Sequence, residues 1–177
     1  MIDTFDNELS FKDRQHIYRY VINSTYKLVG WSDSDDLDIV KHDIHSKWSL
    51  DDLRRSRLYP VVVNLFKKSK KFKGDLTFQQ CVVNLVKHGD YYYPHTHGKD
   101  IYGALYYVNL DWKSHYGGET IFYDDQVKDI IYTTPYVPGR LILFDGAIPH
   151  TIRPQSSKGP NYRFTITIFF KKGGGGQ

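Results

Sequence analysis

The sequence predicts a mainly β protein with helices in its first third, and three observations carry that expectation. From about residue 78 onward, short runs rich in Val, Ile, Tyr and Phe recur at close spacing, with Gly and Pro between them. Aromatic residues make up 16% of the chain, with 15 Tyr and 10 Phe, a bias that favours strands. Before residue 78 the apolar positions instead follow a period near 3.6. At 177 residues the chain is long enough to bury one real core, so a single domain is expected.

The first helix is predicted over SFKDRQHIYRYVINSTYKL (10–28). Ser10 with Asp13 three positions later is a variant of the capping box. Ile17, Val21, Ser24 or Thr25, and Leu28 then follow the helical period. WSDSDD (31–36) reads as a polar, acidic loop. A second helix begins at Ser49 in WSLDDLRRSRLYP (48–60), with Ser49 as N-cap, Asp52 as its reciprocal partner, and Trp48 with Leu53 as hydrophobic staple. Pro60 ends that helix or begins the next segment. PVVVNLFKK (60–68) is ambiguous: its β-branched run suits a strand, yet it could extend the helical layer. KKSKKFKGD (67–75) is a basic run closed by Gly74.

Strands follow at FQQCVVNLVKH (78–88), IYGALYYVNLDW (101–112) and GGETIFYDD (117–125). One or two more are expected between Val127 and Tyr136. RLILFDG (140–146) comes after the Pro138-Gly139 turn, and YRFTITIFFKK (162–172) is last. Such spacing argues for an antiparallel sandwich or barrel. The expected organisation is helical support over 1–77, a β core over 78–172 and a flexible tail over 173–177.

Composition narrows the setting. The single cysteine, Cys81, rules out an intrachain disulfide and fits a reducing compartment. No apolar run approaches the roughly 18 residues a membrane helix needs, and the polar start MIDTFDNELS does not read as a secretory signal. A cytoplasmic protein is therefore expected. A formal charge of +4 permits an acidic partner without requiring one. The KKSKKFK run would suit nucleic acid, but charge runs are usually solvated faces and no stacking motif accompanies it.

The chemistry is concentrated in three histidines. His95 and His97 lie in YYYPHTHGKD (91–100), and His150 lies in PGRLILFDGAIPHTIRP (138–154). On an extended segment an H-x-H pair points both imidazoles to one face. A third histidine from another strand would complete three nitrogen ligands and leave metal positions open, as a catalytic site requires. In the last strand, Arg163, Thr165 and Thr167 alternate with Phe164, Ile166 and Ile168. The apolar face is core; the polar face is either solvated at an edge or serves a ligand, because a guanidinium grips a carboxylate bidentately and a Thr hydroxyl can add a bond.

Four pieces in order resemble the iron(II)- and 2-oxoglutarate-dependent oxygenases, and most of all their prolyl 4-hydroxylase-like branch. These are YxPHxH (92–97), LYYVNLDWKSHYGGETIFYDD (105–125), PGRLILFDGAIPHTIRP (138–154) and RFTITIFF (163–170). Together they span roughly half of the chain; the N-terminal third carries no comparable motif. The resemblance implies a double-stranded β-helix, a jelly-roll of two sheets, from about residue 78. It implies Fe(II) as the metal, 2-oxoglutarate and O2 as co-substrates, and hydroxylation of an unactivated C–H bond with release of succinate and CO2. It also implies that Arg163 anchors the far carboxylate of 2-oxoglutarate, helped by Thr167 and Tyr107; Ile152, two residues past His150, would line the same pocket.

One departure matters. The family's usual pair is His-x-Asp, whereas this chain has His95-Thr96-His97. Some relatives also carry H-x-H before a segment like GALYYV (103–108), which favours His97 in the carboxylate's place. Such a centre would be one unit more positive. The alternatives are that Asp100 or Asp90 supplies the carboxylate, or that His97 is a loop residue beside a two-ligand site. Arg153 competes with Arg163 as the anchoring cation but lies close to His150. Trp112 is expected beneath its turn, Gly117 and Gly118 in conformational roles, and Glu119 in a structural one. His16, His42, His45, His88 and His115 read as surface residues. Substrates weighed are a prolyl residue in a peptide or protein, a small metabolite, and nucleic acid. A different class of reading is a non-oxidative module holding zinc or nickel. Oligomeric state is left open.

Overall fold

The structure is a computed structural model that describes residues 1–31 and 41–173. Ten strands and three α-helices follow in the order β1 (Ile2–Phe5), α1 (Phe11–Ile22), β2 (Lys27–Trp31), β3 (Lys41–Trp48), α2 (Leu50–Arg55), α3 (Leu58–Lys68), β4 (Leu76–Lys87), β5 (Ile101–Tyr107), β6 (Thr120–Tyr123), β7 (Ile130–Thr134), β8 (Leu141–Asp145), β9 (His150–Ile152) and β10 (Tyr162–Lys172). They form a seven-stranded sheet, ordered β1-β8-β5-β10-β4-β3-β2, and a three-stranded sheet, ordered β7-β6-β9. Every pairing is antiparallel. The fold is the expected jelly-roll, mainly β with helices near the N-terminus.

The first third differs from the sequence expectation in instructive ways. Helix α1 starts where Ser10 caps the Asp13 amide, but it stops at Ile22 rather than running to residue 28. Asn23 and Ser24 there bond their side chains back to the Arg19 and Tyr20 carbonyls, a local competition that ends a helix. The chain then becomes strand β2. Strands β1, β2 and β3 had no predicted counterpart, so the first third extends the large sheet as well as supporting it. The predicted acidic loop at 31–36 lies outside the described residues, apart from Trp31, the end of β2. All of the tail beyond Gly173 lies outside them too.

Helix α2 carries the complete capping box of Ser49 and Asp52. The ambiguous segment 60–68 is helical. Val62, Leu65 and Phe66 are buried at helical spacing, which outweighs the β-branched run. Pro60 sits in the first turn of α3, where its missing N–H has no helical acceptor to lose.

The two faces of the large sheet bury different things. On the outer face, Ile17, Val21, Leu53, Leu58, Leu65 and Phe66 from the helices pack on Val83, Tyr106, Leu143, Ile166 and Ile168. Each such side chain contributes about 1.5–3 kcal/mol of transfer free energy when fully buried. On the inner face, Leu105, Tyr107, Ile142, Phe144 and Phe169 meet Phe122, Trp112 and Tyr136 from the smaller sheet and its loops. With only three strands, the smaller sheet cannot cover seven. The inner face of β2, β3 and part of β4 therefore stays open beside the roll.

Candidate metal centre and anion pocket

His150 opens β9, and its backbone exchanges two hydrogen bonds with His95: His95 N donates to His150 O at 3.1 Å, and His150 N to His95 O at 3.0 Å. His97 N donates to Gly146 O at 2.7 Å. These bonds clamp the H-x-H segment across the end of β8 and the start of β9, although it is an isolated bridge rather than a regular strand. The three imidazoles converge, with one nitrogen from each within 4.8 Å of the others. His95 Nδ1–H donates to Tyr93 O at 3.0 Å and His150 Nδ1–H to Ile148 O at 2.8 Å, which leaves each Nε2 lone pair free for a ligand.

Electrostatics favour neutral imidazoles. Burial pushes His97 down to about 3, and the neighbouring His150 and His95 push the same way. Burial pushes His150 down to about 4, reinforced by His95. A neutral imidazole is the metal-binding form, so the donor set fits a divalent transition metal. Asp100 is exposed and Asp90 accepts the Lys87 amide at 2.8 Å; among the described residues no carboxylate joins the three histidines.

A cavity of about 320 Å³ opens beside the imidazoles. Arg163, Thr165 and Thr167 line it from β10, while Phe164, Ile166 and Ile168 face the helices, so the alternation read from the sequence separates cavity from core. Arg163 is 1% exposed. Its Nε donates to Gly118 O at 3.1 Å, while Nη2 is buried with no partner. Its guanidinium lies over the Tyr107 and Tyr136 rings, 5.4 and 5.0 Å from their centroids. Among the described residues no carboxylate pairs with it. A buried guanidinium with a free N–H edge carries a large desolvation cost unless an anion completes it. A dicarboxylate in the cavity would do so.

The other expected residues are placed as follows. Tyr107 is fully buried behind the cavity wall, and its hydroxyl pairs at 2.6 Å with that of Thr120, which lines the cavity. Ile152 lines the cavity. Arg153 is exposed and 3.5 Å from Glu119, so it is engaged away from the pocket. Trp112 Nε1 donates to Gly117 O at 3.0 Å beneath its turn. Gly117 and Gly118 have φ of +75° and +80°, and a Cβ on Gly118 would lie 3.2 Å from Arg163 Cδ and Nε.

Sequence reasoning missed β3 entirely. Its alternating Asp43, His45 and Lys47 line the cavity, joined by Gln80 and Asn84 of β4 and by Tyr92. Tyr92 hydrogen-bonds Asp43, and burial together with that carboxylate raises its phenol above the usual value. His45, read as a surface residue, instead lines the cavity with Nδ1 buried and without a partner. The period-two pattern of KHDIHSKW was the available signal. His16 also has a partner, the Arg55 carbonyl at 3.1 Å.

Comparison with known proteins converges on one family. Residues 76–171 match the family model of the 2OG-Fe(II) oxygenase superfamily. No curated protein sequence matches the chain. Solved structures do. A Trichoplax adhaerens prolyl hydroxylase in complex with a hypoxia inducible factor peptide fragment is similar, with TM-score 0.73, 17% identity, and coverage of 97% of this chain and 83% of that one. An oxidoreductase of the 2OG-Fe(II) oxygenase family from Burkholderia pseudomallei has TM-score 0.72 and 12% identity, covering 96% and 84%. A Pseudomonas putida prolyl-4-hydroxylase has TM-score 0.67 and 17% identity, covering 97% and 92%.

Proposed function

The chain belongs to the 2OG-Fe(II) oxygenase superfamily, and from that premise we propose that His95, His97 and His150 hold its iron(II) and that Arg163 anchors its 2-oxoglutarate. The protein is a non-haem dioxygenase that uses Fe(II), 2-oxoglutarate and O2. Bound together, these supply oxidative decarboxylation of 2-oxoglutarate to succinate and CO2, coupled to hydroxylation of a C–H bond.

The chain's own residues act by binding, orienting and excluding water. The Tyr93 and Ile148 carbonyls fix the His95 and His150 rings with Nε2 free. Phe144 and Phe169 wall off His97, their ring centroids 6.3 and 4.3 Å from its own. The free Nη2 edge of Arg163 takes the far carboxylate of the co-substrate, with Thr167 as an added donor from the same face. Tyr107 acts at one remove: its hydroxyl positions Thr120, and its ring faces the guanidinium.

The buried, unpartnered Nη2 of Arg163 is the observation that carries this reading. A zinc or nickel module would have no use for a buried cation aimed into a cavity. We further propose that the substrate is a residue in a peptide or protein, with proline first among candidates, since a similar fold in the Trichoplax enzyme is seen with a peptide fragment. A cytoplasmic setting belongs to the same proposal. It is consistent with the one cysteine, and no described helix is long and apolar enough to cross a membrane.

Anaerobic Fe(II) titration tests the ligand set. His95→Ala and His150→Ala are expected to abolish binding, and His97→Asp to retain or improve it. Unchanged affinity in His97→Ala would remove His97 from the set. Succinate release with proline-containing peptides against free proline then tests the substrate class.

A further inference from the structure

Beside the cavity lies a second space of about 960 Å³, and both are lined by His45 and Lys47. This larger groove runs along the uncovered inner face of the sheet and around its edge to α1. Its floor follows from strand register. Lys27 pairs with His45, His45 with Asn84, and Asn84 with Thr165. Partners across an antiparallel ladder share a face, so these four side chains form one polar row from the edge strand to the cavity. Three strand spacings make that row about 14 Å long, the reach of about four extended residues.

Charge is unevenly placed along the row. Arg19 and Lys27 stand at the outer end and Lys47 beside His45 on β3, all exposed and none with an acidic partner among the described residues, while Asp52, which also lines the groove, is bonded to Ser49. His45 stands midway with its buried Nδ1 unpaired. Toward the iron side the row ends in hydroxyls and the Asn84 amide. This inference rests on the oxygenase reading of the cavity. From the geometry we infer that β2, β3 and the end of α1 form a substrate subsite for an extended polypeptide bearing a carboxylate side chain about four residues from the oxidised residue. Lys27 and Arg19 receive that carboxylate, and His45 and Asn84 bond the intervening peptide groups.

A polypeptide fits better than a nucleic acid. Asp43 lies on the same face, where a backbone charged at every phosphate would meet it, whereas a peptide can place its one carboxylate two residues along at Lys27. The aromatic residues of the groove, Tyr20 and Trp48, pack edge-to-face on each other at 5.3 Å, and Trp48 is only 6% exposed, so this floor offers no stacking platform.

The test uses the full chain with Fe(II) and 2-oxoglutarate under nitrogen, and anisotropy of labelled short peptides with a central proline flanked on both sides by Glu, by Gln or by Lys. The Glu peptide is expected to bind about tenfold tighter than the Gln peptide, the combined effect of several exposed charge pairs. The double variant Arg19→Glu/Lys27→Glu, at two groove residues that do not line the co-substrate cavity, is expected to lose that preference and to favour the Lys peptide. Calorimetry of 2-oxoglutarate on the same variant is expected to be unchanged. This separates a failed subsite from a failed oxygenase, in which the parent protein would not bind 2-oxoglutarate at all. Equal binding of the three peptides, no response to the charge reversal, or tighter binding of a single-stranded oligonucleotide than of the Glu peptide would overturn the inference.

Discussion

At the scale of single residues, the centre is built from groups whose normal solvation has been withdrawn. His97 and His150 are held neutral, at about 3 and about 4, because burial and neighbouring imidazoles disfavour the cation. The sign of the consequence follows from linkage. In the metal-free protein both histidines titrate below their unfolded value of 6.5. The unfolded chain therefore binds more protons as pH falls from that value toward the folded ones. Stability is lost across that window, and above it the two groups add no pH dependence. Thermal melts of chelator-treated protein should show the melting temperature dropping below pH 6.5, with a shallower drop in His97→Gln. Equal slopes would mean that the ring is not held neutral by its surroundings. The histidines and Arg163 were legible in the sequence because spacing and alternation mark them directly. Asp43 and His45 were not picked out, since their roles depend on which strand lies beside β4.

At the scale of elements, the site depends on turns and registers that hold side chains in place. Gly118 lies at φ +80°, and its carbonyl accepts the Arg163 Nε–H. A Cβ there would meet Trp112 at 3.1 Å and Arg163 at 3.2 Å. Gly118→Ala should weaken 2-oxoglutarate binding by about tenfold through a misplaced guanidinium, while calorimetric metal affinity stays within error of the parent. The Ser49–Asp52 capping box supplies a contrast. Ser49→Ala should cost about 0.5–2 kcal/mol in urea unfolding and leave co-substrate affinity alone, because α2 touches only the outer face. Long, patterned elements such as β4, β8 and β10 could be read from sequence, with errors of only a few residues at their ends. The hairpin of β2 and β3 could not. Its alternation is written in Lys, His, Asp and Ser, so it resembles a polar connection until β4 gives it a partner. The β-branched run in α3 pointed the other way for a related reason: burial against the sheet, which only tertiary structure reveals, decides its state.

At the scale of the molecule, the unequal sheets produce function. Helices cover the outside of the seven-stranded sheet, three strands cover part of its inside, and the remainder is open beside the histidines. One half of the roll is thus dry enough to hold neutral imidazoles and an uncompensated cation. The other half is open, and it is there that the proposed polypeptide subsite lies. Family membership, with the metal, co-substrate and reaction class that follow from it, was readable from four motifs in order. The proposed substrate groove was not, because it is assembled from strands those motifs do not include. The central claim is that the histidine centre and Arg163 form one site for iron(II) and 2-oxoglutarate. Calorimetric titration of 2-oxoglutarate into the Fe(II)-loaded protein under nitrogen tests it most directly. One site is expected in the parent protein. Arg163→Ala should weaken it by well over tenfold, in keeping with the roughly 2–5 kcal/mol lost when a buried charge pair is broken, and Arg163→Lys should fall between. No 2-oxoglutarate binding to the iron-loaded protein, or equal binding in Arg163→Ala, would contradict it.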